Sequence, residues 1–186
     1  MIEYKPLATF LDGGTRNGLT KPKKIRGNGV KMIGMGEIFA NSRISDIDME
    51  RVPVTDKELL NCGIREKDLL FARQSLVLEG AGKCSIVTKV KEPTVFESHL
   101  IRVRIDEKLA NPYFVYYFFN STLGHRYVMT IVEQVAAAGL RGSDLVKLKI
   151  PCPSMEVQNK SVSLLGKIDK KIEINNAINK NLATQR

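Results

Sequence analysis

The amino-acid sequence predicts an α/β (α+β) globular domain followed by one long C-terminal helix. Two observations predict the globular part. The runs DLLFAR (68–73), KCSIVTKV (83–90) and HLIRVRI (99–105) are rich in Val, Ile and Leu and are bounded by Gly, Pro and Glu, as strands of one sheet are. Asn111 followed by Pro112 opens a helix, because the Asn side chain caps free N–H groups while proline fits the first helical turn. A third observation predicts the appendage: from Ser154 to Arg186 the chain contains no proline and keeps a helical apolar spacing. With 186 residues there is room for one such domain, over 1–152, and a helical region over 153–186.

Taken in chain order, GGTRNGLTKPKKIRGNG (13–29) has five glycines, one proline and five Lys or Arg, and almost no apolar periodicity, so it reads as a loop. VKMIGMGEIFA (30–40) reads as a strand with a glycine bend. Thr55 and Glu58 form a capping box for a short helix over Asp56–Cys62. After Asn111-Pro112, YFVYYFFNSTLGHRYV continues as one helix whose aromatic side chains supply a core face and rim rather than a base-stacking platform. The small-residue segment AAAGLRGS reads as a loop, and DLVKLKIPCP returns to the body as a strand. In the final helix Leu165, Ile168, Ile172, Asn175, Asn179 and Leu182 follow heptad a/d spacing, flanked by Ile174 and Ile178. Asparagine in such a seam weakens packing but fixes register, which suits a helix that pairs as a coiled coil better than one buried in its own domain.

Charge narrows the class of partner. Lys and Arg number 29 against 20 Asp and Glu, a net charge of +9, which favours a polyanion: nucleic acid first, an anionic membrane surface second. Residues 1–31 carry seven basic groups against two acidic, and 160–186 six against two, whereas 32–59 is acidic on balance. The glycine-rich loop can lay backbone N–H groups and basic side chains against phosphates, or stand as an ordinary solvated loop. Hydrophobic residues make up 43% and charged residues 26%, a globular composition, and no apolar run approaches the ~18 residues of a membrane span. Cys62, Cys84 and Cys152 are odd in number and lack metal-ligand spacing, so neither a disulfide framework nor a metal site is expected, and a reducing cytoplasm fits.

Enzyme motifs fail residue by residue. Gly34-x-Gly36 lacks the third small residue of a dinucleotide turn, since position 39 is Phe. Gly82-Lys83 lacks the first glycine and the magnesium hydroxyl of a phosphate loop, since positions 77 and 84 are Val and Cys. Asn111-Pro112-Tyr113-Phe114 is one proline short of the Asn-Pro-Pro-Tyr/Phe motif of amino-methyltransferases, and no glycine-rich S-adenosylmethionine loop follows a strand. His99 and His125 have no nucleophile or ligand spacing and read as structural. No cofactor is expected.

The order of Lys67–Arg73, Asn111–Ser121, Leu140–Leu145, Ile150–Gln158 and the helix IDKKIEINNAINKNL resembles type I restriction-modification specificity subunits over nearly the whole chain. The resemblance implies a target-recognition domain joined to a helical conserved region. It also implies no catalysis of its own, double-stranded DNA as ligand, and methyltransferase and restriction subunits as partners. Family members usually carry two recognition domains and two helical regions in tandem; this chain has one of each and resembles a half subunit.

Within that frame the basic segment supplies Arg16, Lys21, Lys23, Lys24 and Arg26 as DNA contacts, and Arg73, Gln74 and Ser75 form a second contact loop. Arg can pair with both major-groove acceptors of guanine and Gln with adenine, while lysines mainly reach phosphate. Arg73 paired with an acidic side chain of the fold is the competing reading. Arg141 is assigned to phosphate, with Ser143 or Asp144 as the cap of a short turn in the competing view. Leu165, Ile168, Ile172, Asn175, Asn179 and Leu182 are assigned to a homodimer of antiparallel helices. A helix of about 32 residues runs ~48 Å at ~1.5 Å per residue and spaces two readers on an interrupted palindrome. Two further classes share these features: a stand-alone dimeric DNA-binding regulator, and a methyltransferase fragment.

Overall fold

The computed structural model describes residues 2–75, 80–134 and 138–184. Its elements are β1 (Tyr4–Pro6), β2 (Leu11–Asn17), β3 (Val30–Ile33), α1 (Met35–Ala40), β4 (Arg43–Ile44), β5 (Arg51–Val52), α2 (Asp56–Cys62), β6 (Leu69–Ala72), β7 (Gln74–Ser75), β8 (Cys84–Val87), β9 (Thr94–Phe96), β10 (Leu100–Ile105), α3 (Pro112–Phe119), α4 (Thr122–Met129), β11 (Glu133–Gln134), β12 (Ala138–Gly139), α5 (Gly142–Leu145), β13 (Lys149–Pro151) and α6 (Met155–Thr184). A five-stranded sheet in the order β2-β10-β6-β8-β4 forms the centre. It contains all three strands expected from 68–73, 83–90 and 99–105. Both its faces are covered, which is why β6 is apolar without alternation. Leu69 and Phe71 join a core with α3, α4 and α5, while Leu70 joins a second core with α1, α2 and the small sheet β5-β3-β9. The Phe71 and Phe119 rings meet edge to face at 5.0 Å in the first core.

The cap predicted at Thr55 is present: its hydroxyl accepts from the Glu58 N–H while the Glu58 carboxylate accepts from the Thr55 N–H. Asn111 likewise caps α3 through Oδ1, which accepts from the Tyr113 N–H at 2.9 Å.

Four sequence expectations change. The segment 13–29 is not all loop, since β2 runs to Asn17 as the edge strand against β10. An edge strand with one solvated side needs little apolar periodicity, and Gly13 and Gly14, at φ +83° and +76°, form the irregularity between the Val103 and Ile105 pairings. The segment 30–40 is a strand only through Ile33. The N-terminus of α1 is then satisfied from within and from outside, the Gly34 N–H donating to the carboxylate of Glu37 in its own first turn and the Met35 N–H to that of Glu97. The helix after Asn111 is two helices. Ser121 caps the second through Gly124, and a Cβ at Gly124 would collide with the Phe118 carbonyl, so the corner requires that glycine. The return after 140 is part helix, part strand: α5 comes first, and β13 pairs with β1 rather than joining the central sheet.

The proline-free C-terminal stretch is one helix, α6, of 30 residues. Its first half packs on α3, and from Lys170 to Asn179 every residue is exposed. No helix among the described residues is long and apolar enough to cross a membrane.

Candidate nucleic-acid interface

β2 and β6 run in the same direction on either side of β10, so both finish at one end of the central sheet. Arg73 leaves that end directly after β6, its N–H donating to the His99 carbonyl at 2.7 Å. The next residues are not a free loop as expected. Gln74 and Ser75 form β7, pairing with Gly139 and Ala138 of β12, and β12 pairs in turn with β11. Leu140 returns to the same point, its N–H donating to the Arg73 carbonyl at 2.9 Å. Two chain segments far apart in sequence are thereby tied to a single backbone position. Gly142 lies against Thr15 of β2, where any Cβ would meet the Thr15 hydroxyl, and this anchors Arg141 at the same end.

The second loop and Arg141 are therefore brought together. Arg73 is half-buried and has no ion pair with a described carboxylate; Gln74 is exposed. Arg141 pairs with Glu133 at 3.1 Å, and both side chains are largely solvated, so the pair contributes little and leaves the guanidinium available. Arg141 occupies the capping position of α5 without a side-chain cap, and neither Ser143 nor Asp144 caps it, because both lie inside that helix. Asp144 instead accepts from Lys147, which lowers its pKa.

The basic segment divides. Arg16 is exposed on β2, directly opposite Arg102 of β10. Lys23 and Lys24 project into solvent from a 3-10 turn. Lys21 and Arg26 are committed to the fold. Lys21 donates to both oxygens of Glu58, whose pKa falls chiefly because of that bond, and Arg26 pairs with Glu50 at 2.6 Å while donating to the Lys21 carbonyl. These two hold the turn that presents Lys23 and Lys24. As direct phosphate contacts both are weakened, since each would have to give up a carboxylate.

Two residues at this end escaped sequence reasoning. His99 stands with its side chain 55% exposed beside Arg73, although its lack of nucleophile or ligand spacing read as structural. Arg102 is buried, donates to the Gly63 carbonyl and has no ion pair among the described residues, and burial lowers its pKa. The alternation in LIRVRI was the available signal for Arg102: every second residue is basic on a strand whose two faces are both covered.

On α6, Leu165 is half-buried near the packing against α3, whereas Ile168 and Ile172 are 50% and 51% exposed and Asn175 and Asn179 are exposed. The side chain of Leu182 lies outside the described residues. Val157 and Leu164, absent from the expected seam, are also exposed, so the exposed apolar stripe of α6 includes Leu164 rather than the half-buried Leu165. Among the described residues no group of three or more His, Cys, Asp or Glu is placed to hold a metal ion.

Residues 13–184 match the family model described as type I restriction modification DNA specificity domain. The chain is 26% identical over 145 residues to the type I restriction enzyme EcoKI specificity subunit of Escherichia coli (strain K12), an alignment covering 77% of this chain and 31% of that protein. Its fold is similar to that of the HsdS subunit from Thermoanaerobacter tengcongensis, with TM-score 0.64 and 15% identity over 93% of this chain and 38% of the other. It is also similar to the type I restriction-modification system S subunit from M. genitalium, with TM-score 0.63 and 11% identity over 93% and 40%. The chain thus spans well under half the length of the relatives it matches. A match running from the bulge of β2 to the last described turn of α6 takes in both the sheet end and the helix, and the chain belongs to the type I restriction modification DNA specificity domain family.

Proposed function

We propose that this chain is the sequence-reading, non-catalytic module of a type I restriction-modification system, binding double-stranded DNA in the cytoplasm and directing methyltransferase and restriction subunits to a bipartite site. The observation that carries the proposal is the convergence of Arg73, Gln74 and Arg141 on one sheet end in a chain of this family. Arg and Gln are the side chains suited to guanine and adenine edges, and the backbone ties to Arg73 hold them on rigid elements rather than on a free loop. Arg16, Lys23 and Lys24 supply phosphate contacts.

In this reading residues 1–152 recognise DNA and 153–186 form the helical region. The stripe of Ile168, Ile172, Asn175 and Asn179 pairs with the same stripe of a second copy, antiparallel, which presents one reader twice and makes the target an interrupted palindrome. Selection from a random DNA library by the purified chain with a type I methyltransferase subunit tests the reading. Enrichment of one half-site sequence is expected. Retention of DNA without enrichment of any sequence would overturn it.

A further inference from the structure

The helix α6 meets the globular domain at two polar points on one face, eleven residues and about 16 Å apart. At the base, Gln158 is buried and accepts from the Asn111 N–H at 2.9 Å, while Asn159 accepts from the Asn111 side chain. Three turns on, Asp169 accepts from the Tyr117 hydroxyl at 2.7 Å and pairs with Arg43 at 2.8 Å. Arg43 also reaches Glu173 at 3.5 Å and lies over the Tyr113 ring at 5.8 Å. Beyond Asp169 every residue from Lys170 to Asn179 is exposed.

Two points fix the direction of a rod, and one point leaves a pivot. We propose that Asp169, held by Tyr117 and Arg43, fixes the direction of α6 relative to the reader and thereby sets the number of base pairs between the two halves of the target. The proposal rests on the reading of the chain as one of two readers spaced by this helix. Asp169, Tyr117 and Arg43 are positioning residues and touch no DNA. From Asp169 to Thr184 the helix extends about 22 Å, so a swing of roughly 9° at the cluster moves its end by about 3.4 Å, the rise of one base pair. The cluster joins three elements, β4, α3 and α6, so no single helix can shift without breaking a bond to another. Burial and the adjacent carboxylate push the Tyr117 phenol well above its ordinary pKa, which keeps its proton on the Asp169 bond through the physiological range.

The test is methylome sequencing of cells expressing the full chain with a type I methyltransferase subunit, comparing Asp169→Ala, Asp169→Asn, Tyr117→Phe and the control Glu156→Gln. Wild type and the control are expected to modify one spacer length. Asp169→Ala should modify the same half-sites with spacers one base pair longer and shorter, its preference for the wild-type spacer falling at least tenfold. Asp169→Asn and Tyr117→Phe should show smaller losses. In parallel, spin labels on unnatural residues at Lys57 and Ala177, in chains diluted with unlabelled protein, should give a broader distance distribution in Asp169→Ala. An unchanged spacer preference with an unchanged distribution overturns the proposal, as does loss of half-site identity together with spacing. Absence of any chain-dependent motif from wild type defeats the underlying reading instead, and the distance distribution then decides separately whether the cluster fixes the helix.

Discussion

Arg104 donates through Nε and Nη2 to both carboxylate oxygens of Asp68 at 2.7 Å each, while Arg102, two residues earlier on the same face of β10, has no ion pair among the described residues and leaves its own Nε unpartnered. One strand thus carries a paired and an unpaired guanidinium side by side. Asp68 is 1% exposed, and it also accepts from the Arg65 N–H, so the pair ties β10 to the turn before β6. Removing one partner of a buried pair leaves the other charge stranded. Asp68→Ala should destabilise the fold by about 3–5 kcal/mol, read as a lower urea midpoint at unchanged slope.

Arg102 should behave in the opposite way. The Gly63 carbonyl that it serves also accepts from Arg104 at 3.3 Å, so Arg102→Met removes a buried charge without orphaning that acceptor. The variant is expected to lose less than about 1 kcal/mol of stability, or to gain. A loss comparable to that of Asp68→Ala would show that Arg102 is compensated in solution.

Base reading and phosphate contact separate by sequence and by salt. Arg73→Ala or Gln74→Ala should relax preference by about 1–3 kcal/mol at one base pair, whereas Lys23→Ala and Lys24→Ala should weaken cognate and random DNA alike. Each lysine change should also reduce the slope of log affinity against log salt by about 0.9. Titration of fluorescent duplexes at several salt concentrations distinguishes the two, and equal losses on cognate and random DNA for Arg73→Ala would remove its base-reading role.

Acid stability should depend on Asp46, which accepts from Lys31 at 2.7 Å and pairs with Lys91 at 2.8 Å. These bonds, that to Lys31 first, lower its pKa from 3.8 to about 2. A carboxylate whose folded pKa is depressed contributes stability that is present above its unfolded value and lost as pH falls through the folded one. The wild-type chain should therefore lose stability from Asp46 between about pH 4 and pH 2, and Asp46→Asn should flatten that part of the profile. Chemical denaturation at stepped pH checks it.

The long helix should pair through Ile168 and Ile172. Ile168→Glu with Ile172→Glu should give monomers by sedimentation with an intact globular domain, because both side chains are half exposed. Leu165→Glu should in addition lower domain stability, since Leu165 is half-buried. A wild-type chain that sediments as a monomer, alone and with DNA, would contradict the pairing.

Where local chemistry and packing agreed, the fold was legible in the residues. Asn111-Pro112 and Thr55-x-x-Glu58 cap helices whatever surrounds them, and the three Val/Ile/Leu runs belong to a sheet buried on both faces. What escaped were features decided by distant partners. Met35–Ala40 is helical because Glu97, 62 positions away, accepts from its first turn, and Leu11–Asn17 is a strand because β10 offers an edge. Gln74 and Ser75 read as loop because their strand partner is the small-residue segment around Gly139, which has no apolar signature. The candidate contacts were legible by residue type only. Lys21 and Arg26 carry the same charge as Lys23 and Lys24, and only the positions of Glu58 and Glu50 separate the pairs.

Whether this chain selects the DNA sequence on which a type I system acts is decided by methylome sequencing of cells carrying the wild-type chain with a type I methyltransferase subunit, against cells lacking the chain. One bipartite motif should appear only when the chain is present, with halves identical in opposite orientation. Methylation that is the same with and without the chain would contradict it.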